Sequence, residues 1–194
     1  MVKAVRANLM LGWLRRNFPE VPQVLIIRHP CAVVSSWLQL GWTADQDIAA
    51  FLGQPKLIDD FLADRLNLVQ EANTVEERIA IAWCLNHLVP LRQAQTGGLH
   101  IIFYEHLITQ PEIEIPALFQ AIGQEPRDSV YDDLRVPSIT SKNNNGALTS
   151  QDWSTHWQHK LSSDQVDRIQ SVVTGFELNF LYGDSDYPSG DVSD

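Results

Sequence analysis

The chain has 194 residues, 44% of them apolar and 20% charged, which suits one domain with a packed core and not a disordered chain. Its 14 Lys and Arg face 24 Asp and Glu, for a formal net charge of −10. That balance excludes a protein that coats nucleic acid, because phosphate neutralisation needs an excess of cations, and any anionic ligand must be held by a local cluster of donors.

Residues 4–18 read as an amphipathic helix. Val5, Leu9 and Trp13 recur at helical spacing beside Met10, Leu14 and Phe18, and Arg15 and Arg16 favour its last turn. Pro19 and Pro22 break it. Gln23 to Arg28 is a short apolar run closed by a charge, and its Val and Ile content predicts a strand buried on both faces. Pro30 then opens a helix over 30–40. Residues 45–71 give one or two helices with a break at Pro55.

The strongest helical pattern is 75–95, with Asn73 or Thr74 as its cap and Pro90 expected to kink or end it. Gly97-Gly98 is a turn. Leu99 to Tyr104 is the second apolar strand, and Pro111 opens a helix over 111–122 that Gly123 stops. Residues 124–150 read as irregular. Ser162 with Gln165 is a capping box for a last helix, 163–175. Residues 1–183 are expected to form one domain and 184–194 an acidic flexible tail.

Apolar strands alternating with helices predict an α/β fold, a parallel sheet flanked by helices. Only two strands are evident. No apolar run approaches the roughly 20 residues of a membrane span. The N-terminal stretch lacks a small-residue cleavage site, so the cytoplasm is the expected compartment. Cys31 and Cys84 supply neither a disulfide framework nor a zinc site.

The best candidate for chemistry is Arg28-His29-Pro30 with Ser35 and Ser36. Ligands of open α/β sheets bind beyond the carboxyl ends of the strands. A helix start there offers N–H groups to phosphate, and Arg28 adds a planar charged fork. The plainer alternative is an arginine paired with a carboxylate and serines in an ordinary helix. Local pattern leaves the two about even. His156 and His159 have metal-ligand spacing, but no third ligand is evident and no metal is expected. His29 reads as a turn residue, and His100 as a satisfied core or edge histidine. His87 and Trp83 on the 75–95 helix, and Trp37, Trp42, Trp153 and Trp157, either line an acceptor cleft or pack the core.

The stretch LIIRHPCAVVSSW resembles the 3′-phosphate-binding segment of sulfotransferases that use 3′-phosphoadenosine-5′-phosphosulfate (PAPS). It has the apolar strand, the Arg, the Pro two residues on and the Ser eight positions after the Arg. IIFYEHLITQPEIEIPALFQAIG is similar to the family's strand with Tyr-Glu-x-Leu and a Pro-started helix. THWQHKLSSDQVDRIQSVVTGFELNFLYG resembles its closing Trp, Leu-Ser and terminal helix.

The resemblance implies a P-loop nucleotide-kinase-like sulfotransferase fold. It also implies transfer of a sulfuryl group from PAPS to a hydroxyl or amine of a small-molecule acceptor, with adenosine 3′,5′-bisphosphate as product and no metal. Arg28 and Ser36 would hold the 3′-phosphate and Tyr104 would contact the adenine region. Glu105 would be structural, a cap or an ion-pair partner. Ser141 and Lys142 fall where the family brings a basic loop over the same phosphate, although its Arg-Lys-Gly form is absent.

Lys3 matches a Lys of the family's catalytic region, but Val5 stands at the catalytic His position. No phosphosulfate-binding loop precedes Lys3, so the fold is expected to be incomplete at its N-terminus. The expectation is a fragment, a chain that needs self-association or a partner for completion, or a degenerate relative. Little or no turnover is expected from the chain alone. The rival reading is a non-catalytic nucleotide-binding or assembly module. A nucleotide kinase is disfavoured, since no G-x-x-x-x-G-K-[ST] sequence occurs.

Overall fold

The computed structural model describes residues 7–94, 98–134, 154–183 and 185–189. Two strands, β1 (Gln23–Ile27) and β2 (Leu99–Phe103), pair in parallel, with Gln23 opposite Leu99 and Ile27 opposite Phe103. A 3₁₀ turn (Asn8–Met10) and α1 (Leu11–Asn17) precede β1, and α2 (Pro30–Gln39) follows it, with Pro30 at its first position. The order continues with α3 (Asp45–Leu52), α4 (Pro55–Leu57), a π segment (Ile58–Leu62), a 3₁₀ turn (Ala63–Arg65) and α5 (Leu66–Glu71). The long helix α6 (Val75–Ala94) leads back to β2. After β2 come α7 (Tyr104–Thr109), α8 (Pro111–Ala121), α9 (Ser129–Leu134), a 3₁₀ turn (His156–His159) and α10 (Ser163–Gly175). The described residues are thus mostly helical around a small parallel sheet.

Helix α6 is the hub: α1, α2, α3 and α10 all pack against it. Ile79, Trp83, Leu85 and Leu88 are buried, and so are Ala80, Ile81, Ala82, Cys84 and Val89. The helix is therefore enclosed on most sides. A capping box starts it: Thr74 Oγ1 accepts from Glu77 N at 3.3 Å and Glu77 Oε2 accepts from Thr74 N at 2.8 Å.

Pro90 does not end α6. A proline inside a helix frees the carbonyl four residues earlier. Here that carbonyl, Asn86 O, accepts from Asn8 Nδ2 at 3.2 Å. Nearby, Gln93 O accepts from Arg15 at 2.9 Å and Gln93 Oε1 accepts from Gly12 N at 2.7 Å. The N-terminal segment thus supplies the donors that let the helix run past its proline.

Three further expectations change. Strand β1 is buried on one face only: Leu25 and Ile27 enter the core, while Ile26 is 54% exposed. Its partner Ile102 on β2 is buried, because α7 and α8 cover β2 and α8 contributes the buried Ile115. Tyr104 begins a helix and does not end the strand. A short helix, α9, interrupts the stretch read as irregular. The capping box of α10 forms as predicted, with Ser162 Oγ accepting from Gln165 N and Gln165 Oε1 from Ser162 N. Gly98 and Gly123 take φ of +84° and +66°, conformations that favour glycine at a turn and at a helix stop.

The one-face burial of β1 is testable by urea unfolding. Ile27→Ala removes a side chain with 0% exposure and should cost about 2–5 kcal/mol. Ile26→Ala, one residue away on the open face, should cost under about 1 kcal/mol. Equal losses would mean that the open face of β1 is covered.

Candidate functional site

The parallel register fixes the site. The residues after Ile27 and Phe103 leave the sheet side by side, so Arg28 lies next to Tyr104 and His29 next to Glu105. The Arg28 guanidinium sits 4.6 Å from the centre of the Tyr104 ring, within cation–π range. Arg28 O accepts from Trp83 Nε1 of α6 at 2.9 Å. Arg28 Nε is buried with no hydrogen-bond partner, and no carboxylate among the described residues forms an ion pair with Arg28. Among the described residues the Glu105 carboxylate lies near enough for the Arg28 charge to act on it, without forming an ion pair.

His29 is more than a turn residue. It is the N-cap of α2, buried at 1% exposure, and its Nδ1 accepts from Cys31 N at 3.2 Å. That bond puts the proton of the neutral ring on Nε2. The ring stacks on Trp157 at 4.7 Å and 9° and meets Tyr182 edge-on at 4.8 Å. Burial pulls its pKa down to about 4, outweighing the opposing pull of the Ser185 backbone, and the Arg28 charge adds to the lowering. A base this weak and this enclosed is unsuited to catalysis near neutral pH.

The α2 start is also largely satisfied from within. Pro30 has no N–H, Cys31 donates to His29 Nδ1, and Val33 donates to His29 O at 3.1 Å. The helix N-terminus thus offers an anion fewer donors than the sequence implies, which leaves the Arg28 fork as the principal one. Cys31 itself is buried, and desolvation first, then the charge of Asp186, pushes its thiol up to about 12. It is not a nucleophile.

Glu105 is fully buried. Its Oε1 accepts from His29 N at 3.0 Å and its Oε2 accepts from Tyr182 Oη at 2.7 Å. Burial raises its pKa; the His29 N–H, the Tyr182 hydroxyl and the Arg28 charge act the other way. Tyr182 is held well above the usual phenol range by burial and by the Glu105 charge. The expected structural role of Glu105 thus takes a specific form: it caps the turn at His29 and does not pair with Arg28.

Of the predicted site residues, the structure brings Arg28 and Tyr104 together. Ser36 is half-buried on the face of α2 shared with Val33 and Trp37, and no hydrogen bond among the described residues joins it to Arg28 or Tyr104. Ser35 turns inward, where its Oγ accepts from Gln39 Nε2 at 3.2 Å. Lys3, Ser141 and Lys142 lie outside the described residues, as do Gly97 and Trp153. His156 and His159 share a 3₁₀ turn, and no group of three or more metal-ligating side chains occurs among the described residues. His87 is buried, with Nδ1 2.7 Å from Trp83 O, so core packing explains it. His100 Nε2 is buried without a partner, contrary to the expectation of a satisfied histidine. Trp37 and Trp42 meet edge-on at 5.8 Å, with Trp42 exposed. Among the described residues no helix is long and apolar enough to cross a membrane.

The chain is similar to nodulation protein NoeE of Sinorhizobium fredii, 24% identical over 184 residues, which is 88% of this chain and 41% of that protein. The chain therefore spans well under half the length of the curated relative it matches. No family model and no solved structure matches it.

The buried imidazole gives a signed pH dependence. Unfolded His29 has a pKa near 6.5 and folded His29 near 4, so between those values the unfolded chain binds more protons. The stability contributed by the neutral ring is complete above pH 6.5 and is lost as the pH falls towards 4. Ring ¹⁵N shifts should show a neutral His29 at pH 5.5, protonated on Nε2; a ring that titrates near 6.5 would contradict its burial.

Proposed function

We propose that this chain carries the 3′-phosphate end of a nucleotide site in a sulfotransferase that uses PAPS, in a fold of the P-loop nucleotide-kinase-like class. The observation that carries the reading is Arg28: a half-buried guanidinium at the carboxyl end of a parallel strand, with an orphaned Nε, no ion pair among the described residues and an aromatic ring beneath it. A half-buried guanidinium that forms no ion pair among the described residues is free to take one, and a dianionic phosphate would supply it in bidentate form. The sequence resemblance around Arg28, Tyr104 and the C-terminal segment, and the distant likeness to NoeE, point the same way.

In this reading Arg28 grips the 3′-phosphate, with Ser36 donating from two turns along α2 past its cap. Tyr104 does two jobs. Its ring holds the guanidinium in place, and its edge meets the adenine region. Ser141 and Lys142 would close over the same phosphate and Lys3 would serve the reacting end. The PAPS co-substrate supplies the sulfuryl group. An acceptor hydroxyl or amine attacks sulfur in line, the bond from sulfur to the bridging oxygen breaks, and adenosine 3′,5′-bisphosphate leaves. The chain's own part in the described region is binding and orientation, which lowers the barrier by fixing the donor before the acceptor arrives.

Calorimetry on the 194-residue chain tests this directly. Adenosine 3′,5′-bisphosphate should bind more tightly than AMP, and Arg28→Ala should remove that preference, a loss on the order of tenfold to a hundredfold for a charge-assisted contact. Ser36→Ala should cost less, about threefold to tenfold. Equal affinity of the unaltered chain for both nucleotides would refute the 3′-phosphate assignment.

A further inference from the structure

Beside Arg28, two donors from distant parts of the chain meet at one carboxylate. Glu105 uses both oxygens, one on the peptide N–H of His29 and one on the phenol of Tyr182, across sequence separations of 76 and 77 residues. Tyr182 also packs edge-on against His29 and, at 5.6 Å and 89°, against Phe103. Trp157 stacks flat on the His29 ring at 4.7 Å. The His29 peptide N–H that Glu105 holds belongs to the residue directly after Arg28. That peptide is shared by Arg28 and His29, so the bond restrains ψ of Arg28 and with it the direction of the Arg28 Cα–Cβ bond.

We infer that Glu105 and Tyr182 are positioning residues for the Arg28 anion site, the phenol holding the carboxylate and the carboxylate holding the Arg28–His29 peptide. The inference rests on the reading of Arg28 as a phosphate ligand. Glu105 is the acid that stands next to this arginine in space, and both of its oxygens are engaged by other donors. Freed of Tyr182, one oxygen would lack a donor in a buried place, and Arg28 is the nearby cation able to supply one. The phenol therefore does two things: it keeps the turn in place, and it keeps the carboxylate from drawing the guanidinium off the Tyr104 ring and away from an incoming anion. A purely structural carboxylate would affect folding only. A positioning one also sets where Arg28 points.

The test separates those roles with Tyr182→Phe, which deletes one hydroxyl and keeps the ring packing. Tyr187→Phe, outside the cluster, is the control. Two readouts are taken on the full chain. The first is the ratio of affinities for adenosine 3′,5′-bisphosphate and AMP, measured at a temperature where every variant is folded. The second is the Arg28 Nε–H resonance without ligand, assigned by its disappearance in Arg28→Lys and expected to carry a ring-current shift from Tyr104. Tyr182→Phe should lower the ratio on the order of threefold to tenfold and move the resonance towards its value in an unstructured peptide. Tyr187→Phe should change neither. Glu105→Gln, which still accepts from His29 N and can donate its amide to Tyr182, should keep the resonance closer to the parent than Glu105→Leu does.

If Tyr182→Phe lowers melting temperature while leaving both the ratio and the resonance unchanged, the residues are structural and the inference is overturned. If the unaltered chain does not distinguish the two nucleotides but the resonance still responds to Tyr182→Phe, the positioning stands and the nucleotide reading fails. Should Tyr182→Phe not fold, Glu105→Gln against the parent decides by the same two readouts.

Discussion

In the register that sets Ile27 opposite Phe103, two parallel strands deliver Arg28 and Tyr104 to the same edge of the sheet, and His29 and Glu105 directly after them. Parallel strands run the same way, so whatever follows one lies beside whatever follows the other. A slip of one residue would take Glu105 off the His29 peptide and move every strand side chain to the opposite face. The buried carboxylate reinforces the register from outside the sheet, because its bond to the His29 peptide, at 3.0 Å, ties the end of one strand to the end of the other.

Burial makes these contacts consequential. A carboxyl group with no exposure is tolerable only when its oxygens are hydrogen-bonded, and both of Glu105's are. The same logic runs the other way for Arg28. Its ring contact and its carbonyl bond to Trp83 hold it in place, yet neither supplies a negative charge. The proposed anion site would thus stand at a local cation on a chain whose net charge is −10. Elsewhere the ion pairs tie the fold together: Arg65 with Glu177, Arg78 with Asp45, and Arg168 with Glu76 each bind segments far apart in sequence.

Local rules made much of this readable in advance. The Pro30 start of α2, the Ser162 and Gln165 capping box, and the two apolar strands follow from backbone chemistry that acts over three or four residues. The passage of α6 through Pro90 was not readable, since the rescuing donor is Asn8, 78 residues from the carbonyl it satisfies. Nor was the one-sided burial of β1, which depends on where α7 and α8 lie. At the site, Arg28 stood out by pattern, and Tyr104 only through the family resemblance. His29 did not, because a histidine before a proline reads as a turn; its role appears only with Glu105, Trp157 and Tyr182 around it. Alignment of the two strand ends carried the missing signal: Arg-His after one apolar run and Tyr-Glu after the other.

A ³¹P titration reads the central claim most directly. When the chain is added to adenosine 3′,5′-bisphosphate, the 3′ phosphorus should shift and broaden, and Arg28→Ala should leave that resonance near its free position. A 3′ phosphorus that behaves the same with the parent chain and with Arg28→Ala would contradict it.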